Sequence, residues 1–197
     1  MTDDAAASAS TPASTRGSTQ SPTASSDAEI VARLPVVLEA IRILSPSRHS
    51  DLHGESHWRR VAAHGLYLAD ENGADRLVVL LFGLFHDSMR FNDGDDPEHG
   101  GRGGFLAACL NETLIGMAED RLDVLDAACL NHPAGQTSDD PTIGACWDAD
   151  RLDLVRLGDT IDLARMSTEP ARSKLLRDRA RGLLTATPEW PEIFRLA

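Results

Sequence analysis

The sequence predicts an all-α domain, and three observations carry that expectation. Apolar residues recur at three- and four-residue steps over most of the chain. No run alternates apolar and polar positions with β-branched enrichment, as a half-buried strand would. Pro, Gly and Asn fall where such helical runs would begin or end. At 197 residues the chain is long enough to bury a core without disulfides.

The elements follow in order. Residues 1–27 are nearly all Ala, Ser, Thr and Pro, with no large apolar side chain after Met1. Such a segment cannot bury enough surface to offset its ordering entropy, so it is expected to be a disordered tail ahead of one helical domain over 28–197. Asp3, Asp4 and the lack of an apolar stretch exclude a secretory signal, and the single Arg16 argues against a transit peptide. In the domain, Ile30, Val31, Leu34, Val37, Leu38, Ile41 and Leu44 mark the first helix, which Pro46 stops. A second runs from Ser56 to Asn72, with Gly73 as its end signal. A third, Ala74 to His86, is apolar on every side and belongs in the middle of a bundle. FNDGDDPEHGGRGG reads as a loop. Helices then cover Phe105–Ala118 and Glu119–Asn131. After HPAGQTSDD, Pro141 suits the first turn of a helix covering Cys146 to Leu157. Glu169–Leu184 reads as a polar, amphipathic last helix.

Charge narrows the function. With 31 acidic and 19 basic residues the formal net charge is −12. A phosphate backbone or anionic lipid surface would be repelled, so nucleic acid and membrane are not expected partners, whereas a small anionic substrate held by a few arginines or a metal is compatible. No apolar run approaches the roughly 18 residues that span a bilayer. Cys109, Cys129 and Cys146 lie about twenty residues apart, which is neither a disulfide framework nor a metal knuckle. They read as small apolar residues of a protein in a reducing compartment, with the cytoplasm expected.

The chemistry concentrates in seven histidines and their acidic neighbours. His86 and Asp87 are adjacent at the end of the most apolar helix, where an imidazole and a carboxylate are costly to desolvate unless a cation or a hydrogen-bond network holds them. Upstream, SHWRRV puts His57 early in the second helix, on a face shared with Val61, His64 and Leu68. Downstream, DADRLD sets Asp150 inside an apolar helix, with Asp148 on a different side. Between them lie His99, in the Gly-rich segment, and His132, at a helix end.

This order resembles the HD-domain superfamily of metal-dependent phosphohydrolases over roughly residues 50–160, on GLFHDSMR and DADRLD above all. The resemblance implies an all-helical HD-type bundle with the metal site in its interior. It implies His57, His86, Asp87 and Asp150 as metal ligands, with Asp87 central to catalysis, and His99 and His132 as holders of a second metal or of substrate. Two nitrogens and two carboxylate oxygens suit one or two divalent ions of Mn, Fe, Co, Ni or Zn. Such an ion brings the pKa of a bound water towards neutral, which serves hydrolysis of a small phosphoester or nucleotide. If both extra histidines are ligands, a diiron oxygenase is the alternative; a metal-bound regulatory module without turnover is a third reading.

Phosphoryl oxygens need donors, and Arg60, Arg90, Arg102 and Arg151 lie nearest the ligands in sequence. Some members of the superfamily carry a Glu soon after the His-Asp pair. Here HDSMRFND offers Arg90 and then Asp93, the candidate proton donor. DGDD lacks the spaced ligands, central Gly and distal Glu of a calcium loop and reads as a solvated loop near the site mouth. His53 reads as exposed at a helix start, and His49 and His64 as structural or exposed. Neither the substrate nor the oligomeric state follows from the sequence.

Overall fold

A computed structural model of the chain describes residues 24–158 and 161–197. The disorder expected of residues 1–23 lies outside the described residues. The last residues of that tail are not loose. The Ser25 amide donates to the Gly116 carbonyl at 2.8 Å, and Ser26 forms a reciprocal capping box with Glu29. Fixed structure therefore starts ahead of Ala28, because a helix needs an N-cap that its periodicity does not reveal.

Eight α-helices and several short turns of 3₁₀ or π helix make up the described residues, with no strand. Helix α1 (Asp27–Leu44) buries Ile30, Leu34, Val37, Leu38 and Ile41 as one stripe. Helix α2 (Glu55–Asn72) ends where Gly73 takes a left-handed conformation and its N–H returns to the Ala69 carbonyl. Helix α3 (Arg76–Phe85) is capped by the Asp75 carboxylate, and Leu77 to Phe85 are all buried. It packs against α1, α2 and three helices further on, the central place that an all-round apolar helix requires.

The Gly-rich segment is where structure and expectation part. The loop ends at Glu98, and helix α4 (His99–Leu110) takes in HGGRGG. These glycines serve close packing. A Cβ on Gly103 would sit 2.3 Å from the Phe85 carbonyl oxygen, and one on Gly100 2.1 Å from that of Cys129. The helix then widens into a π turn, Asn111–Ile115, closed by Gly116, so it ends before Ala118. Helix α5 (Glu119–Asn131) leads into a 3₁₀ turn, His132–Ala134. Helix α6 (Pro141–Leu152) is capped by Asp140, with Pro141 in its first turn, and continues as 3₁₀ helix through Leu157. The long last helix expected from Glu169 is instead a 3₁₀ turn, Pro170–Arg172, followed by α7 (Lys174–Leu183). Helix α8 (Trp190–Phe194) was not anticipated, since five residues are too few to display a period.

Cys129 and Cys146 are buried, and burial pushes both thiols up and keeps them protonated; Cys109 is exposed. Among the described residues no helix is long and apolar enough to cross a membrane.

Candidate metal centre

Helix ends build the site. α3 stops with His86 as its C-cap and Asp87 next in the chain. The first turn of α2 supplies His57, and the last turn of α6 supplies Asp150. The start of α4 supplies His99, and the turn after α5 supplies His132. Six side chains from five helices thus meet at one place.

They form two sets, His57, His86 and Asp150, and Asp87, His99 and His132, each able to hold an ion. Asp87 faces both. Its Oδ2 lies 3.4 Å from His57 Nε2 and 3.7 Å from His86 Nε2, and its Oδ1 lies 3.1 Å from His99 Nε2 and 3.6 Å from His132 Nε2. Asp150 Oδ1 is 3.3 Å from His57 Nε2. Ligand atoms about 3.0–3.4 Å apart are what metal–ligand bonds of about 2.1 Å produce at octahedral to tetrahedral angles.

The other face of each imidazole fixes which nitrogen is free. His86 Nδ1 donates to the Phe82 carbonyl at 3.1 Å, His132 Nδ1 to that of Cys129 at 2.7 Å, and His99 Nδ1 to that of Asp96. A carbonyl can only accept, so each Nδ1 carries the proton and each Nε2 presents a lone pair. His99 and His132 Nε2 then oppose each other at 2.9 Å, and His57 and His86 Nε2 at 3.1 Å. Asp87 Oδ1 is buried without a hydrogen-bond partner among the described residues. The opposed lone pairs of His99 and His132 and an orphaned carboxylate oxygen are costly in a protein interior unless a cation lies between them. The residues present therefore fit a divalent first-row ion in each set.

The protonation pattern agrees. Burial disfavours charge on His57, but hydrogen bonds to Asp150, Asp153 and Asp87 outweigh it and push the imidazole up to about 10. Burial pushes His86 down to about 3. Burial also acts to raise Asp87 and Asp150, yet the imidazoles that face them hold both carboxyls well below the usual carboxylate range.

Asp153, which the sequence reading passed over, anchors His57. Its Oδ2 accepts from His57 Nδ1 at 2.7 Å, and Arg60 donates to it through Nε at 2.6 Å and Nη2 at 3.0 Å. The signal was available, since Asp153 stands one helical turn after Asp150 in an apolar segment. Asp148 turns away to accept from the Ser167 and Thr168 amides, which leaves Asp150 alone at the site.

The arginine candidates separate. Arg60 is buried in its pair with Asp153 and is not placed to touch a phosphoryl group. Arg102 grips both oxygens of Asp96 at 2.6 Å and lies over Phe91, bracing the loop instead of the site. Arg90 is beside the ligands. Its Nη1 lies within 3.2 Å of both ring nitrogens of His99, which places it over the ring face, and 3.6 Å from Asp87 Oδ1. Arg151 spends both terminal nitrogens on the carbonyls of Arg165 and Gln136. It still lines, with Asp150 and His132, a cleft of about 230 Å³ that opens on the site.

Asp93 is not among the converging groups. It bonds Ser50 and His53 at the surface, and those hydrogen bonds hold its carboxyl below the usual range, unsuitable for donating a proton near neutrality. His53 is half-buried rather than exposed, and burial lowers its pKa. His64 is buried with neither ring nitrogen partnered among the described residues.

No family model matches the chain, and no curated protein matches its sequence. A solved structure does: the crystal structure of a predicted HD superfamily hydrolase from an uncultured Thermotogales bacterium. It aligns with a TM-score of 0.59 at 22% identity, over 78% of this chain and 88% of that one. The chain has that fold, an all-α HD-domain bundle.

Proposed function

We propose that this protein is a metal-dependent phosphohydrolase acting on a small anionic phosphoester or phosphoanhydride. One observation carries the reading: Asp87 offers one buried oxygen to each of two histidine sets and has no other partner for Oδ1. The HD-type fold of a neighbour described as a predicted hydrolase supports it.

His57, His86, Asp87 and Asp150 would hold one divalent ion, and Asp87, His99 and His132 a second. When bound, such ions lower the pKa of coordinated water and offset charge that develops on a phosphoryl oxygen. The chain's own residues supply the rest. Asp153 and the backbone carbonyls aim the imidazoles, so little reorganisation is needed when substrate arrives. Arg90, over the His99 ring, is the guanidinium best placed to meet a phosphoryl oxygen. In the overall reaction a water oxygen forms a bond to phosphorus as the ester or anhydride P–O bond breaks, and the departing oxygen ends protonated.

His86→Ala and Asp87→Ala are expected to lose bound metal and phosphate release while keeping their helix content by far-ultraviolet circular dichroism. Wild-type turnover in either variant would refute the assignment. The same six ligands also suit a diiron oxygenase. Oxygen uptake with a mixed-valence iron spectrum, and no phosphate release from an ester panel, would turn the reading that way.

A further inference from the structure

Among the described residues, a cleft of about 230 Å³ borders the metal centre through its ligands, with Asp150 and His132 in its wall. Asp150 is the most accessible of the candidate ligands, with 22% of its side chain exposed against 0–5% for the other five. A molecule approaching the ions from solvent therefore meets this side first.

The cleft is chemically divided. Pro133, Leu154, Ile161 and Met166 form an apolar surface. Arg151 and Arg165 supply two positive charges, and they differ in how they are held. Arg151 ties two stretches of backbone together, bonding the carbonyls of Gln136 and Arg165, and so stiffens the walls. Arg165 has an exposed guanidinium whose nearest carboxylate among the described residues is Asp162, at 3.6 Å. Its Nη1 reaches over Gly135, next to the turn that carries His132. A Cβ built at Gly135 would lie 3.0 Å from that nitrogen, and the residue's φ of +71° is one that glycine adopts without strain. Glycine thus leaves room for an arginine stretched across the mouth of the cleft.

Size limits the occupant. Clefts for drug-sized ligands begin at about 300 Å³, and this one is smaller. A nucleoside triphosphate would leave most of itself outside. We propose that the substrate is a phosphomonoester of a compact, largely apolar alcohol, with its organic group on Leu154, Ile161 and Met166 and its phosphoryl group met by Arg90 beside the ligands and by Arg165 at the mouth of the cleft. This rests on the hydrolase reading above and adds to it the substrate class and a specificity residue. Hydrolysis forms the water-oxygen-to-phosphorus bond, breaks the ester bond, and releases the alcohol with a proton and inorganic phosphate.

The test compares phenyl phosphate with ATP in the metal-loaded full chain, alongside calorimetric titration with inorganic phosphate. Phenyl phosphate is expected to show the higher kcat/KM. Arg165→Ala should raise its KM about tenfold or more and weaken phosphate binding to match, at unchanged metal content, because a charge-assisted bond is lost. Arg165→Lys should recover part of the loss. Leu154→Trp should depress kcat/KM for phenyl phosphate without reducing phosphate affinity. Arg195→Ala, on the exposed end of α8, should change nothing. Equal use of ATP, or an unchanged KM and phosphate affinity in Arg165→Ala, would overturn the inference and leave the hydrolase reading intact. If neither phenyl phosphate nor ATP is hydrolysed, the hydrolase reading falls and the substrate assignment falls with it.

Discussion

Single side chains at the candidate metal centre divide into those that converge there and those that aim them, and Asp153 belongs to the second group. It is fully buried between His57 and Arg60, and losing its charge would strand the Arg60 guanidinium in the interior. Asp153→Asn is therefore expected to weaken metal binding by about 10–100-fold, read by competition with a chromophoric chelator, while the ligands themselves are intact. His64, further along α2, makes a different prediction. Burial without a partner pushes its pKa down to about 4, against an ordinary 6.5. A histidine depressed in the folded state is neutral in both states above pH 6.5. As pH falls below that, the unfolded chain takes up the proton first and stability is lost down to about pH 4. His64→Leu should remove this acid sensitivity, reducing by about 2 kcal/mol the stability difference between pH 7.5 and 5.0 in denaturant titrations. Site residues differ in how far the sequence reveals them. His86-Asp87 is legible because adjacent polar residues interrupt an apolar run. Asp153 shows only a one-turn spacing from Asp150, and its role depends on a partner 96 residues away.

Helices place these side chains, and among those that carry the site α4 is the one the sequence misrepresents. Glycine signals either backbone freedom or close approach, and HGGRGG is the second, packed so tightly that His99 reaches Asp87. The other helices were readable because their apolar stripes, the glycine after α2 and the proline at α6 are local features. The π turn after α4 and the short α8 left no periodic trace. Gly103→Ala should force α4 off the end of α3, since its Cβ would meet backbone oxygens of Phe85 and His86, which cannot rotate away. A cost of about 1–3 kcal/mol is expected, with His99 displaced from Asp87. Metal analysis should then show preferential loss of the ion held by His99 and His132, with the His57 and His86 ion retained. Gly101→Ala is the contrast. Its new Cβ meets only the tip of Leu130 at 3.2 Å, so the helix propensity gained, up to about 1 kcal/mol, should outweigh the crowding. A Gly103→Ala protein as stable and as metal-rich as Gly101→Ala would show that close packing is not why α4 carries glycines.

Across the whole molecule, the candidate metal centre forms only when five helices are assembled, since its side chains span the chain from His57 to Asp150. Spacing along the sequence could not establish that convergence; it is the folded chain that brings the six side chains together. The unfolded chain has no such arrangement, so an ion that binds the folded state alone adds RT ln(1 + [L]/Kd) to stability. Electrostatics acts in the same direction. The protein carries a net charge of −12 and gathers Asp87, Asp150 and Asp153 around one point, so cations there relieve repulsion that folding creates. At a free metal concentration 100-fold above Kd, one site should contribute about 2.7 kcal/mol. At about 2–4 °C per kcal/mol for a chain of this size, Tm should rise by about 5–10 °C on loading and fall back on chelation. Asp87→Asn removes the shared carboxylate charge and should reduce the rise at both sites, whereas His132→Ala should reduce it at one. Scanning calorimetry of the three proteins with and without Mn²⁺ reads this directly. A wild-type Tm indifferent to Mn²⁺, Fe²⁺, Co²⁺, Ni²⁺ and Zn²⁺ alike would mean that the opposed imidazoles and the orphaned Asp87 oxygen are satisfied by water and protons alone.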